Sequence, residues 1–91
     1  MLIWVSKDPG EVLDYDINWA PRLGTDTILT SIWSIVSGVG LGVNSDSFTS
    51  QRTKLWLSGG TLGQTYLLKN TVTTAAGDTE IETVKLTVRA K

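Results

Sequence analysis

From Thr65 to Thr74 the side chains alternate without a break. Tyr66, Leu68, Asn70 and Val72 fall in one phase; Leu67, Lys69, Thr71 and Thr73 fall in the other. A period of two marks a β-strand, because successive Cα–Cβ bonds point to opposite sides of a pleated chain. Ala75-Ala76-Gly77-Asp78 supplies turn residues. Thr79–Arg89 then returns with Val84, Leu86 and Val88 in one phase and Lys85, Thr87 and Arg89 in the other. A hairpin with one apolar face needs a second layer to cover it.

The rest of the chain supplies that layer. Val12–Trp19 alternates Leu13, Tyr15, Ile17 and Trp19 against Asp14, Asp16 and Asn18, which predicts a strand with one wet face. Lys7-Asp8-Pro9-Gly10 reads as a turn before it, and Ala20–Asp26, containing Pro21, as a break after it. Thr27–Val36 is a further strand with Leu29, Ser31, Trp33 and Ile35 in one phase. Ile28 and Ile32 fall in the other, so the strand is either covered on both faces or bulged. The glycines of Gly38–Gly42 predict a loose strand or broad loop. Ser45–Gln51 reads as a polar, edge-like strand around Phe48, and Lys54–Leu57 as a short strand running into the Ser58–Gly63 corner. About seven short strands separated by turn signals, with no helix between them, predict a single all-β antiparallel sandwich over residues 1–91, in which 1–6 is an N-terminal arm or edge strand.

Composition narrows the chemistry. No histidine is present, which removes the usual general base and the commonest transition-metal ligand. No cysteine is present either, so disulfides and thiolate zinc sites are excluded and the redox compartment stays unread. The expectation is therefore a protein that is not an enzyme, with no metal and no cofactor. The eight basic residues are scattered and the net charge is −1, so the electrostatic footprint of a nucleic-acid binder is missing. Apolar runs are too short to span a membrane, and Met1-Leu2-Ile3-Trp4-Val5 lacks the basic start of a signal peptide.

Several residues stand out as candidate sites. Asp14 and Asp16 share a strand face and could seat a cation or act as an acid–base pair, but one short strand supplies too few further ligands, and a solvated face is the simpler reading. Gly38-Val39-Gly40-Leu41-Gly42 lacks the helix and Lys-Ser/Thr pair of a phosphate loop. Trp56 alternates with Leu55 and Leu57; if those two face the core, Trp56 faces solvent or a neighbour, as an interface anchor would. Trp4 and Leu2, on the N-terminal arm, are the other candidate partner-binding residues. That arm either pairs within its own domain or adds to a neighbour's sheet. Trp19 and Trp33 keep phase with aliphatic residues and are assigned to the core with Tyr66, Leu68 and Val72. Asn70 shares their phase and, if buried, must be hydrogen-bonded.

Leu57–Gly77 resembles the corner, strand and turn around the sixth strand of fibronectin type III and related immunoglobulin-like domains, where a tyrosine opens the strand. The resemblance implies that the Tyr66 hydroxyl returns to the corner backbone and that Leu68 stands where an antibody domain carries its second cysteine. It also implies that Trp33 plays the part of the second-strand tryptophan of fibronectin-type domains. A wider likeness runs through Lys7-Asp8-Pro9, Glu11–Tyr15, Asp16-Ile17-Asn18-Trp19, Gly24–Ile28, Trp56–Gly60, Val72-Thr73-Thr74 and Gly77. In content, order and spacing these segments resemble a family of small tailed-phage and prophage virion proteins labelled fiber-tail adaptor or head–tail structural proteins. Gly10 stands where that family usually has an acidic residue, and Asp78 where a basic one often follows the glycine.

The resemblance implies a structural subunit made in the cytoplasm of a bacterial host and built into the virion in multiple copies. Its partners would be tail, neck or fiber subunits. The alternatives are a capsid decoration protein docked on the major capsid protein, and a carbohydrate-binding module using Trp56, Trp4, Asp14 and Asp16.

Overall fold

The computed structural model describes every residue from Met1 to Lys91. Seven strands are present: β1 (Leu2–Ile3), β2 (Leu13–Asn18), β3 (Ile28–Ser37), β4 (Leu41–Phe48), β5 (Arg52–Gly59), β6 (Thr65–Thr74) and β7 (Thr79–Thr87), with one helical turn, α1 (Ala20–Leu23). They form two stacked sheets, ordered β1-β7-β6-β3 and β2-β5-β4. The body measures 41 × 19 × 18 Å. The order β2-β5-β4 against β3-β6-β7 has the pattern of the second, fifth and fourth strands facing the third, sixth and seventh in immunoglobulin-type sandwiches.

The alternation read from β6 and β7 sets the inner face. Tyr66, Leu68, Asn70, Val72, Val84, Leu86 and Val88 are all fully buried, and from the facing sheet Tyr15, Ile17, Leu55 and Leu57 meet them. Burying side chains of this size stabilises the fold by about 1.5–3 kcal/mol each.

Four expectations need correction. First, the sandwich is not wholly antiparallel: β1 pairs parallel with β7, Leu2 against Val84 and Ile3 against Lys85. Second, Leu29 does not share a face with Trp33. A register shift between Ile28 and Thr30 leaves Leu29 unpaired and exposed, and this puts Ile28 into the core in phase with Ser31, Trp33 and Ile35. Third, Ala20–Leu23 is not a plain break. Pro21 lies in the first turn of α1, where its missing N–H costs nothing. Fourth, the glycine-rich segment is not one broad loop: Leu41 and Gly42 already belong to β4, an edge strand bulged at Asn44. Gly38–Gly40 is a tight link between β3 and β4; an added Cβ at Gly38 (φ 104°) would lie 2.5 Å from the Tyr66 ring. Glycine is required there by both conformation and space. Trp33 stands on β3, the third-strand position, whereas Trp19, just after β2, is the tryptophan beside the second strand.

Candidate partner-binding surface

What the fold leaves free depends on what it fixes. Three polar devices hold the interior. The Tyr66 hydroxyl donates to the Val39 carbonyl and accepts from the Thr61 N–H at 2.8 Å, so it ties the β5–β6 corner to the β3–β4 link. Asn70 is a fully bonded hub: its Oδ1 accepts from Trp19 Nε1 at 3.1 Å and Thr53 Oγ1 at 2.8 Å, and its Nδ2 donates to Ser31 Oγ at 3.0 Å and the Ile32 carbonyl at 3.2 Å. All the capacity of the amide is used, which is how a buried polar side chain avoids its desolvation cost. The third device is Lys7, which is fully buried and donates to the Gly59 carbonyl at 2.6 Å and the Asp8 carbonyl at 3.0 Å. Burial lowers its pKa, and the nearby Glu11 and Asp8 oppose that shift.

The segment after Lys7 is locked to the C-terminus. Asp8 accepts from the N–H groups of Gly10 and Lys91, both at 2.8 Å, and these bonds hold its carboxyl below the usual range. Glu11 accepts from the Asp8 N–H at 2.8 Å and pairs with Lys91 at 2.9 Å, which lowers its pKa as well. A lysine in a turn reads as solvated in a sequence, and nothing in Lys7-Asp8-Pro9 announces its burial.

The N-terminal arm is taken up by its own domain. Trp4 stacks on Tyr15 with ring centroids 4.6 Å apart and meets Trp33 at 5.7 Å. Leu2 lies half-buried against the cluster of Ile17, Trp19 and Val84. These two candidate anchors therefore turn inward, and the exposed side of the arm is Met1, Ile3 and Val5. Tyr15, under Trp4, donates its hydroxyl to the Val5 carbonyl at 3.1 Å; burial, and then the charge of Glu11, pushes its pKa up to about 12. A cleft of about 280 Å³ opens beside the arm, lined by Leu2, Trp4, Trp19, Arg22, Arg52 and Glu82 among others. Its charges are matched internally: Arg22 reaches Glu80 at 2.9 Å and Glu82 at 3.4 Å and lies over the Trp19 ring at 4.7 Å, while Arg52 reaches Asp16 at 2.6 Å.

Trp56 is placed differently. Leu55 and Leu57 are fully buried on either side of it, and Trp56 stands on the outer face of the three-stranded sheet, 41% exposed. It lies between Asp14 of β2 and Ser45 of β4. Asp14 pairs with Lys54 at 3.4 Å, so both strand carboxylates considered as ligands are engaged by basic neighbours. The core residues Trp19, Tyr66, Leu68 and Val72 are buried, and Trp33 is half-buried against both apolar clusters.

Residues 7–89 match the family model described as podophage GP4 fiber-tail adaptor protein gp77. The chain belongs to that family. The match starts at the buried Lys7 and covers the whole sandwich from β2 onward. Membership places the chain among structural adaptors of the phage virion. A comparison with curated proteins gives no match. The motif residues Lys7, Asp8, Glu11, Trp19 and Gly59 hydrogen-bond within the interior and along the link between the 7–11 segment and Lys91.

Two features of the surface escaped sequence reading. One is the set of ion pairs across β2, β5, α1 and β7, whose partners lie far apart in the chain. The other is the exposed apolar row on β3, Leu29, Ile32 and Val36. Strand phase alone could not place it, because bulges sit at both ends of β3.

Proposed function

We propose that this adaptor joins the tail or neck to a fiber through protein–protein contact, and that Trp56 anchors one of the two partners. The observation that carries the reading is the outward position of Trp56, a large aromatic between two fully buried leucines on the outer face of the three-stranded sheet. Aromatics in such positions are the commonest energetic centres of interfaces. The ion pairs Asp14–Lys54 and Asp16–Arg52 on the same sheet supply a polar surround of the kind that rims protein contacts. Family membership over residues 7–89 supports the tail and fiber as the partners.

Particles assembled with Trp56→Ala test the reading. The substituted protein should keep its stability within about 1 kcal/mol, as surface changes do. Fiber occupancy or retention of the adaptor, counted on particles by electron microscopy and mass spectrometry, should fall. Full fiber occupancy with a normally incorporated variant would remove Trp56 as the anchor. Absence of the wild-type chain from purified particles would remove the adaptor reading itself.

A further inference from the structure

Of the two free edges on one side of the sandwich, all of β3 and β4 as far as Ser45 lie in the longest stretch of the chain without a charge, Thr27 through Ser45; β4 continues through Asp46 to Phe48. Exposed apolar side chains gather there: Leu29, Ile32 and Val36 on β3, Val39 in the link, Val43 and Phe48 on β4. Edge strands present unpaired N–H and C=O groups, and proteins ordinarily protect them by shortness, charge, proline or bulges. β4 has a bulge at Asn44 and carries Asp46. β2 carries Asp14 and Asp16, and β1 has two residues. β3 is ten residues long, has neither charge nor proline, and is bulged only near its ends, so Thr30–Ile35 forms a regular, undefended edge.

We infer that this edge pairs with β3 of a second copy of the same chain, antiparallel and across a two-fold axis. The sequence of the edge selects that occupant. A two-fold brings each residue against its own strand, where any charge would meet like charge, and Thr27–Ser45 has none. With the axis through Ile32, Ile32 meets its own copy and Thr30 meets Ser34, apolar against apolar and hydroxyl against hydroxyl on the outer face. The pairing would join two four-stranded sheets into one of eight and bring the second copy over the β4 side chains Val43 and Phe48, with Asp46 between them the one charge on that strand. The opposite side of the domain and the Trp56 face stay free for other virion proteins. The adaptor would then be a paired unit with its self-contact and its partner contact on different surfaces. This inference rests on the adaptor reading for its purpose and not for its geometry.

The test uses the purified full chain. Sedimentation and light scattering at about 100 μM should give a two-copy mass, and Ile32→Lys should give a single-copy mass with an unchanged circular-dichroism spectrum. The chain has no cysteine, so a disulfide formed by Ile32→Cys can only join two copies. Under mild oxidation it should cross-link at least tenfold faster than Ile81→Cys, an exposed position on the interior strand β7 of the same sheet. A wild-type chain that stays monomeric at that concentration, a two-copy mass that survives Ile32→Lys, or equal cross-linking at the two positions would each overturn the proposal. A paired chain absent from virions would sink the adaptor reading alone; a monomeric chain present in virions would sink this inference alone.

Discussion

The two long sides of the sandwich are finished in different ways. On the side of β1, β2 and α1, Arg22, Arg52 and Lys91 each reach a carboxylate on another segment, and Trp4 closes the gap between the sheets by stacking on Tyr15. On the side of β3 and β4 no ion pair is formed; β3 has no charged residue and β4 has only Asp46. Exposed ion pairs add little energy each, so the first side is not much the stronger for them. What they do is satisfy that surface and give it a fixed polar pattern. The second side is left with unsatisfied strand backbone and apolar side chains, the properties of a surface that is completed by association. The exposed Ile3 and Val5 qualify the contrast, but β1 is too short an edge to extend a sheet.

The strongest way to break the contrast is to cut what couples the two sides. Asn70 does this, since it holds Trp19 and Thr53 from one direction and Ser31 and the Ile32 carbonyl of β3 from the other. Asn70→Ala leaves buried donors and an acceptor without partners and opens a small void. The expected loss is about 3 kcal/mol or more in urea denaturation, from unsatisfied groups at about 1–3 kcal/mol each. The loss should reach both sides: hydrogen exchange should accelerate at Ser31–Trp33 as well as around Trp19. Acceleration confined to one side would mean that the two sides are not joined through this amide.

A smaller and more selective effect should come from acid. Asp8 and Glu11 are held below their usual pKa values by backbone N–H groups and, for Glu11, by Lys91 as well. Asp26 is held down by Thr74 first, then by the N–H groups of Thr27 and Ala76. Each group binds protons more weakly folded than unfolded. Their contribution is therefore present above the unfolded values near 4 and is lost as pH falls through the lowered folded values. Thr30–Ile35 of β3 carries no carboxylate at all. Acidification below about pH 4 should thus loosen the 7–11 segment and the turn around Asp26 before Thr30–Ile35, a sequence that hydrogen exchange between pH 5 and 3 would reveal. Simultaneous opening of all three segments would weaken the contrast.

These expectations also mark how far the fold could be read in the residues. β6, β7 and β2 were legible because each has one wet and one buried face, which a period of two records directly. The corner role of Tyr66 was legible through resemblance, and the outward pose of Trp56 followed from its two leucine neighbours. β3 was legible as a strand but not in phase, because one unpaired residue at Leu29 reverses the alternation before Thr30. The burial of Lys7 was hidden because its partners are backbone carbonyls, which leave no trace in a sequence. Of the candidate site, the exposure of Trp56 turned on which face Leu55 and Leu57 take, and both are buried. Trp4 and Leu2 were nominated for their apolar character, which serves equally to close a domain and to dock one. The apolar edge of β3 depends on which strand ends the sheet, a property of topology and not of any local pattern.

The smallest effect separates two tryptophans on the closed side. The Trp19 indole donates to Asn70 and Thr53, whereas the Trp4 indole N–H is buried with no hydrogen-bond partner. The contribution of Trp4 is therefore ring area and stacking on Tyr15, partly offset by an unpaired donor. Trp4→Phe removes that donor and keeps a ring against Tyr15, so lost area and relieved desolvation oppose each other. The net change should stay within about 1 kcal/mol. Trp19→Phe has no such offset and strips one donor from each of Asn70 and Thr53, for an expected loss of about 2 kcal/mol or more. Urea midpoints of the two variants measure the difference directly. Equal losses would mean that Trp4 holds the arm by its N–H and not by its ring, and the closed side would then depend on a polar contact, as the Asn70 hub does.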